Sequence, residues 1–384
     1  MPPGSLMGRG VRKLLHSLEE ANLVLLATVL FPLLLPSRSP AQTDLPWKFQ
    51  FGLASLYDDN ILRYSERYLS RFDHREDPGR FQIESTDDVV LHLSVRAEKP
   101  FEIVPRLTTS IAVDAHYWKY ARNGVKDWPS FSVSARQELP ARLAAGATYS
   151  YLPDFYVRHY RDDDLVNVYG YVPQTFQPFA FEKGEHRLWL QAAFFQSTRV
   201  RATFGRALYY HNEHFTEYDS RNTSWAFDAS HPLLAGLRLS AGYSFITSVA
   251  RGSGQLSGAT TGVGIVDASY DEDEYSFGME WRHPRLFNRD GRLGLSGEYS
   301  RRCYLTKQYY EVDHMHAGRI DREYAVALAW SVELTRDVDV AAGCTWRGRS
   351  TTTTTPFAQE VSDEKNYRQT QLLLSCTYTL SITP

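Results

Sequence analysis

The stretch that decides the fold is Asn366–Leu380, NYRQTQLLLSCTYTL. From position 372 its even residues are Leu372, Leu374, Cys376, Tyr378 and Leu380. The odd residues Gln371, Leu373, Ser375, Thr377 and Thr379 are polar except for Leu373. Alternation with period two puts successive side chains on opposite faces of a strand, so this segment has one apolar and one mostly polar face.

The same pattern recurs back along the chain. The first strand carries Trp47, Phe49, Phe51 and Leu53 on its apolar face, and the second Val89, Leu91, Leu93 and Val95. The third carries Leu107, Ile111, Val113 and Tyr117, and a weaker fourth lies around Phe131 and Val133. Leu143–Tyr151, Arg187–Phe194 and Val200–Tyr210 give the fifth to seventh, the last alternating poorly. Ser224–Ser230, Leu237–Phe245, Tyr275–Arg282, Leu293–Tyr299, Tyr324–Glu333 and Val338–Arg347 give the eighth to thirteenth. The opening stretch is the fourteenth.

The links between strands alternate in length. Short ones (99–105, 138–141, 197–199, 230–236, 335–337) separate long ones (57–87, 121–128, 153–183, 212–221, 251–274, 305–321, 348–365), with 283–292 intermediate. About fourteen strands of roughly ten residues each, short turns on one side and long loops on the other, predict a transmembrane antiparallel up-and-down β-barrel. The alternative is a soluble β-sandwich. It fits less well, because the second face of these strands holds small residues and charges instead of another set of large apolar ones. Tyr and Trp gather where strands meet long loops (Tyr117, Trp118, Tyr120, Tyr149, Tyr151, Tyr209, Tyr210, Tyr243, Tyr299, Trp346), as rings at a membrane interface do.

Residues 1–41 read as an export signal, with an N-terminal anchor helix as the alternative: basic Arg9, Arg12 and Lys13, a short apolar run Ala21–Leu35, and the small-residue site Ser39-Pro40-Ala41. Residues 42–384 then form one barrel domain. Its expected surroundings are outer-membrane lipid and the barrel insertion machinery. The insertion signal is only partial, because the last strand ends Tyr378–Leu380 and is followed by Ser381–Pro384. A formal net charge of -3 over 384 residues gives no field for nucleic acid. Three cysteines do not make a disulfide scaffold; Cys344 and Cys376, on the apolar faces of consecutive strands, read as small lipid-facing residues, the alternative being a bridge between them.

The inner face carries Arg96, Arg106, Asp114, His116, Arg187, Asp228, Arg238, Glu280, Arg282, Glu298, Glu333, Asp339 and Arg347. With both signs interspersed, these predict either a polar pore or a lumen filled by paired charges. No cofactor and no metal are expected. His211-Asn212-Glu213-His214 and Asp313-His314-Met315-His316 hold metal-ligand types without a zinc spacing and read as solvated loop residues. The run Thr351–Thr355 reads as a solvated spacer.

Tyr57-Asp58-Asp59-Asn60, leading into Ile61-Leu62-Arg63, resembles the YDDN-type segment near the first strand of outer-membrane β-barrel porin-like families. Some of these families occur with surface-polysaccharide export. The resemblance covers these few residues plus general barrel patterning. It implies an outer-membrane location and a pore or conduit for small polar solutes or polysaccharide. Taken as residues alone, the segment is a turn signal.

Two other functions remain as alternatives. A membrane-embedded hydrolase would draw on His92, His116 or His186, or on a Glu280/Glu298 carboxylate pair, although no GxSxG-type motif is present and Arg282 and Arg301 favour a salt-bridged wall. A closed barrel used as a surface docking platform would use the Tyr- and Asp-rich segment Pro153–Lys183. The reading carried forward is a non-enzymatic barrel.

Overall fold

The computed structural model describes residues 45–382 except 78, 196, 254–265 and 287–288. The export signal read at 1–41 lies outside the described residues.

Fourteen strands form one closed barrel in which each pairs antiparallel with its sequence neighbours. They are β1 (Trp47–Asp58), β2 (Asp88–Val104), β3 (Leu107–Tyr120), β4 (Trp128–Leu139), β5 (Leu143–Arg161), β6 (Phe176–Phe194) and β7 (Thr198–His211). The second half is β8 (Ser220–Leu234), β9 (Leu237–Ala250), β10 (Tyr270–Leu286), β11 (Arg289–Tyr304), β12 (Arg319–Glu333), β13 (Val338–Thr353) and β14 (Tyr367–Ile382). The seam joins β1 to β14 in unbroken register from Trp47↔Ile382 to Asp58↔Gln371. Three short helices lie among the long loops: α1 (Glu66–Asp73), α2 (Asp163–Tyr169) and α3 (Ala358–Lys365).

The face that reads as apolar in sequence points outward. Leu53, Leu93, Val113, Leu328 and Leu374 are each about half exposed, with Leu374 at 59%. A belt of this kind running round a closed wall is stable only against lipid, so the barrel spans a membrane. Tyr243, Tyr275 and Tyr299 run edge to edge round the outside, 5.3 and 6.3 Å apart. Trp118, Tyr120 and Tyr209 do not belong to this girdle: even positions of β3 and odd positions of β7 face inward, so these rings sit inside the barrel.

The short turns demand unusual backbone. Gly236 closes β8–β9 with φ +81, and a Cβ there would lie 2.6 Å from the Arg282 carbonyl. Arg106 sits in the β2–β3 turn at φ 68, its N–H on Glu102 Oε2 (3.3 Å), and not on the inner wall. Alternation carried one residue too far there, because the ladder ends at Val104↔Leu107.

On the other side the strands outrun the belt. β5 and β6 have 19 residues each, about twice what a bilayer crossing needs. The segment 153–183 is therefore mostly wall, and only 162–175 links the two strands. Register shifts at Leu152/Phe155 and Tyr156/Arg158 break the alternation, which is why it reads as loop in sequence. The threonine run is likewise not a spacer. Thr351 is buried in β13, its hydroxyl on Asp321 Oδ1 (2.9 Å) and its N–H on Asn366 Oδ1 (2.6 Å).

The cysteines are free. Cys344 and Cys376 are exposed on adjacent strands, but Cys344 pairs with Leu372 and Cys376 with Val340, out of bridging register.

Placing an arginine on the lipid face should cost roughly 2–4 kcal/mol near mid-membrane, whereas the lumenal face tolerates it. Leu374→Arg should therefore lower unfolding stability in lipid vesicles by that amount, and Leu373→Arg by much less. Equal losses would contradict this assignment of faces.

Candidate lumenal site and outer cap

A cavity of about 770 Å³ opens on the inner face of β5–β13. It exists because the wall there is thin. One row of the ladder runs Arg201, Asp228, Gly242, Ser276, Glu298, Ala325, Arg347 across β7–β13. Gly242 keeps that row open: a Cβ would lie 2.5 Å from Ser276 Oγ and 2.8 Å from Asp228 Oδ1, and those side chains would have to turn aside. At about 4.8 Å per strand, Asp228 and Glu298 stand roughly 14 Å apart across this shelf of small residues. Arg201 stands next to Asp228, and Arg347 lies two strands from Glu298, beyond Ala325.

The charges around the shelf are fixed by neighbours. Arg187 Nε and Lys183 Nζ both contact Glu185, at 2.7 and 2.9 Å. Arg201 donates to Gln191 Oε1 (2.8 Å) with its guanidinium 4.5 Å from the Trp189 ring centroid. Arg302 contacts Glu272 at 2.8 Å and stacks on Tyr270. Ser244 donates to Glu274 (2.6 Å).

The remaining inner-face residues fall elsewhere. Arg96 Nη1 holds both Asp114 oxygens at 2.9 Å, and its Nη2 reaches Glu98 at 3.3 Å. Arg238 lies opposite Glu280 in register, and Arg282 contacts Glu280 at 3.3 Å. Arg292 contacts Glu333, which lies opposite Asp339 near the short-turn end. Of the inner-face residues read from the sequence, Arg187, Asp228, Glu298 and Arg347 line the cavity and the others do not; Lys183, Glu185, Arg201, Glu272, Glu274, Arg302 and Glu323, which that reading did not name, line it as well. Glu280 and Glu298 are not paired, since Glu280 lies opposite Gly294 and Glu298 opposite Ser276.

His92 and His116 bond each other through their ring nitrogens at 3.1 Å. The stack continues from His92 to Trp118 (4.3 Å) and on to Trp128 (3.6 Å). Both faces of Trp118 are covered, one by His92 and the other by Trp128. Among the described residues no group of three or more His, Cys, Asp or Glu can hold a metal. His214 contacts Asp162 and His316 contacts Asp313, both at 2.7 Å.

The long-loop end is capped. The YDDN segment turns the chain inward over the seam. Asp58 takes Gln369 Nε2 at 2.8 Å and Gln371 Nε2 at 2.7 Å. Asn60 accepts from the Tyr64 N–H (2.7 Å) and donates to the carbonyls of Tyr64 (2.8 Å) and Arg368 (2.9 Å). Ile61, Leu62, Tyr64 and Tyr68 then form a small apolar core with Tyr156 of β5, backed by Leu69, Phe81, Ile83 and Tyr120. The segment thus spans the mouth from β1/β14 to β5. There Arg158 donates to the Leu62 carbonyl (2.7 Å), with the Tyr64 ring centroid 4.9 Å away. Helix α3 packs on β13 and touches α1, with Val361 fully buried. Only the turn formers of this cap show in the sequence. Arg158 lies beyond a bulge, where no periodicity marks it.

No family model matches the chain, and no curated relative matches it. Solved structures resemble it at low identity. A bacterial polysaccharide outer membrane secretin is 9% identical, with 86% of this chain and 98% of that chain covered and a TM-score of 0.44. In-vitro folded OmpT, an outer membrane protein of Vibrio cholerae, is 11% identical (89% and 99% covered, TM-score 0.43). OprD from Pseudomonas aeruginosa is 8% identical (89% and 95%, TM-score 0.38). At such scores the likeness says nothing about solute or mechanism.

Lys126 tests the cap. Its ammonium is buried, donating to the Tyr156 carbonyl at 2.7 Å and lying 4.6 Å from the Phe155 ring centroid. Burial, and then Arg158 and Arg63, push its pKa down to about 7. Between about pH 7 and the ordinary lysine value only the unfolded chain holds the proton, so cap stability rises with pH across that window. The urea midpoint of the cap, read by tryptophan fluorescence, should increase from pH 7 to pH 9, and Lys126→Met should flatten the trend. A wild-type midpoint that does not move would contradict it.

Proposed function

We propose that the chain is a channel of the Gram-negative outer membrane for small polar solutes, with its outer mouth held by a cap. One observation carries this reading: the charged cavity of about 770 Å³, set in the closed wall beneath the cap. A lumen filled only for structure would close such a space with packed side chains. Here Gly, Ser and Ala keep the wall thin, and charges of both signs border the opening. A solute crossing this shelf meets Arg201 and Asp228 side by side, then Glu298 and Arg347.

A second reading, docking at the cell surface, draws on the tip of the β5–β6 link. Val168, Tyr169 and Tyr171 are 71%, 66% and 77% exposed there. Exposed aromatics of this kind suit contact surfaces.

Single-channel current through the refolded barrel in a planar bilayer separates the two. The intact chain should give small or infrequent openings, and deleting 61–83 should enlarge them. Arg347→Glu should shift selectivity toward cations. A barrel that is demonstrably inserted yet silent after removal of the cap would overturn the channel and leave the docking reading.

A further inference from the structure

Inside the cap Tyr160 stands among cations, with Arg158, Lys365, Arg349 and Arg319 all acting on it. Arg158 is 7% exposed, and its Nε has no hydrogen-bond partner. Its Nη2 reaches only the carbonyls of Leu62 and Arg63, and no carboxylate lies within ion-pair distance among the described residues. Lys365, at the end of α3, approaches from the other side of the mouth. Its ammonium lies 5.6 Å from the Tyr160 ring centroid, and the Arg158 guanidinium lies 5.7 Å from the same centroid. The two cations come from β5 and from the β13–β14 link and share the Tyr160 ring.

The acids nearby are already engaged. Asp321 takes Arg319 at 2.8 and 2.5 Å, and Glu323 takes Arg349 at 3.5 Å. Glu364, adjacent to Lys365, faces Arg71 at 4.0 Å. The Lys365 ammonium makes no hydrogen bond or ion pair among the described residues, while the Lys365 carbonyl accepts from Arg349 Nε (2.7 Å) and the residue is half-buried. Burial pushes its pKa down, opposed by Tyr160 and reinforced by Arg319 and Arg158, which places all four groups in one field. A buried charge persists only if it is paired. Tyrosine faces compensate a guanidinium in part, but they leave its N–H edge without an acceptor.

We propose that Arg158 and Lys365 bind an oxyanion between them beside Tyr160, a carboxylate or phosphate group carried by a solute entering the outer mouth. Arginine offers the planar N–H edge such a group accepts, and lysine adds a point charge. The site sits above the cavity and can be occupied whether or not the barrel conducts. Binding measured in detergent therefore stands or falls separately from the channel reading.

The test is calorimetric titration of the refolded full chain with inorganic phosphate, and separately with acetate, at fixed ionic strength in chloride. The wild type should bind one equivalent saturably. Lys365→Gln should weaken binding at least fivefold, Lys365→Arg should largely restore it, and Arg158→Gln should abolish it. If Arg158→Gln disturbs the cap, as its bond to Leu62 allows, the two Lys365 variants decide alone. Phosphate against acetate tells which oxyanion is preferred. No heat above that of chloride, or equal affinity in wild type and Lys365→Gln, would overturn the proposal.

Discussion

A peptide group in hydrocarbon has no water to bond, so each backbone N–H and C=O of the wall must find its partner in the next strand. That constraint requires the sheet to close. The seam between β1 and β14 does so without a bulge, from Trp47↔Ile382 to Asp58↔Gln371. Other features follow from it. An antiparallel ring with one chain needs an even strand count, which sets the start of β1 and the end of β14 on the short-turn side. The long connections then all fall at the opposite end, where they can pack on one another. The same seam anchors the cap, because Asp58 and Gln369, the last inward residues of β1 and the first turn of β14, hold Asn60 between them.

Inside the closed wall, side-chain size does the shaping. Where the inner face carries bulk, as in the His92–Trp118–Trp128 stack, the lumen is occupied. Where it carries Gly242, Ser276 and Ala325, the lumen opens, and the charges that border the opening are those the ladder sets at the same height. The outer end follows a different rule. Its packing combines an aromatic core with buried Arg and Lys, and stability there depends on which charges find partners.

The barrel was legible because lipid reads only one face of each strand. The alternation of β14, with Leu372, Leu374 and Tyr378 outward, records that demand directly. Strand number and the alternation of turn lengths come from the same signal. It stops where the membrane stops. Past Tyr151 and before Phe181 both faces of β5 and β6 meet water or the cap, so aromatic and charged residues replace the alternation. Thr351 is misread for the same reason: a hydroxyl bonded to Asp321 looks like a solvated one in sequence. The cavity residues could be named by parity. Their grouping could not, because it depends on cross-strand register, which the sequence of a single strand does not contain.

The overlong strands β5 and β6 have a consequence for assembly. The wall that holds the cap stands clear of the bilayer, so the cap matures in water and not in lipid. The membrane-embedded cylinder and the aqueous cap are then two cooperative units joined end to end, built on different chemistry. Insertion can finish while the mouth is still unformed. Conversely, the mouth can melt and re-form on a cylinder that never leaves the membrane.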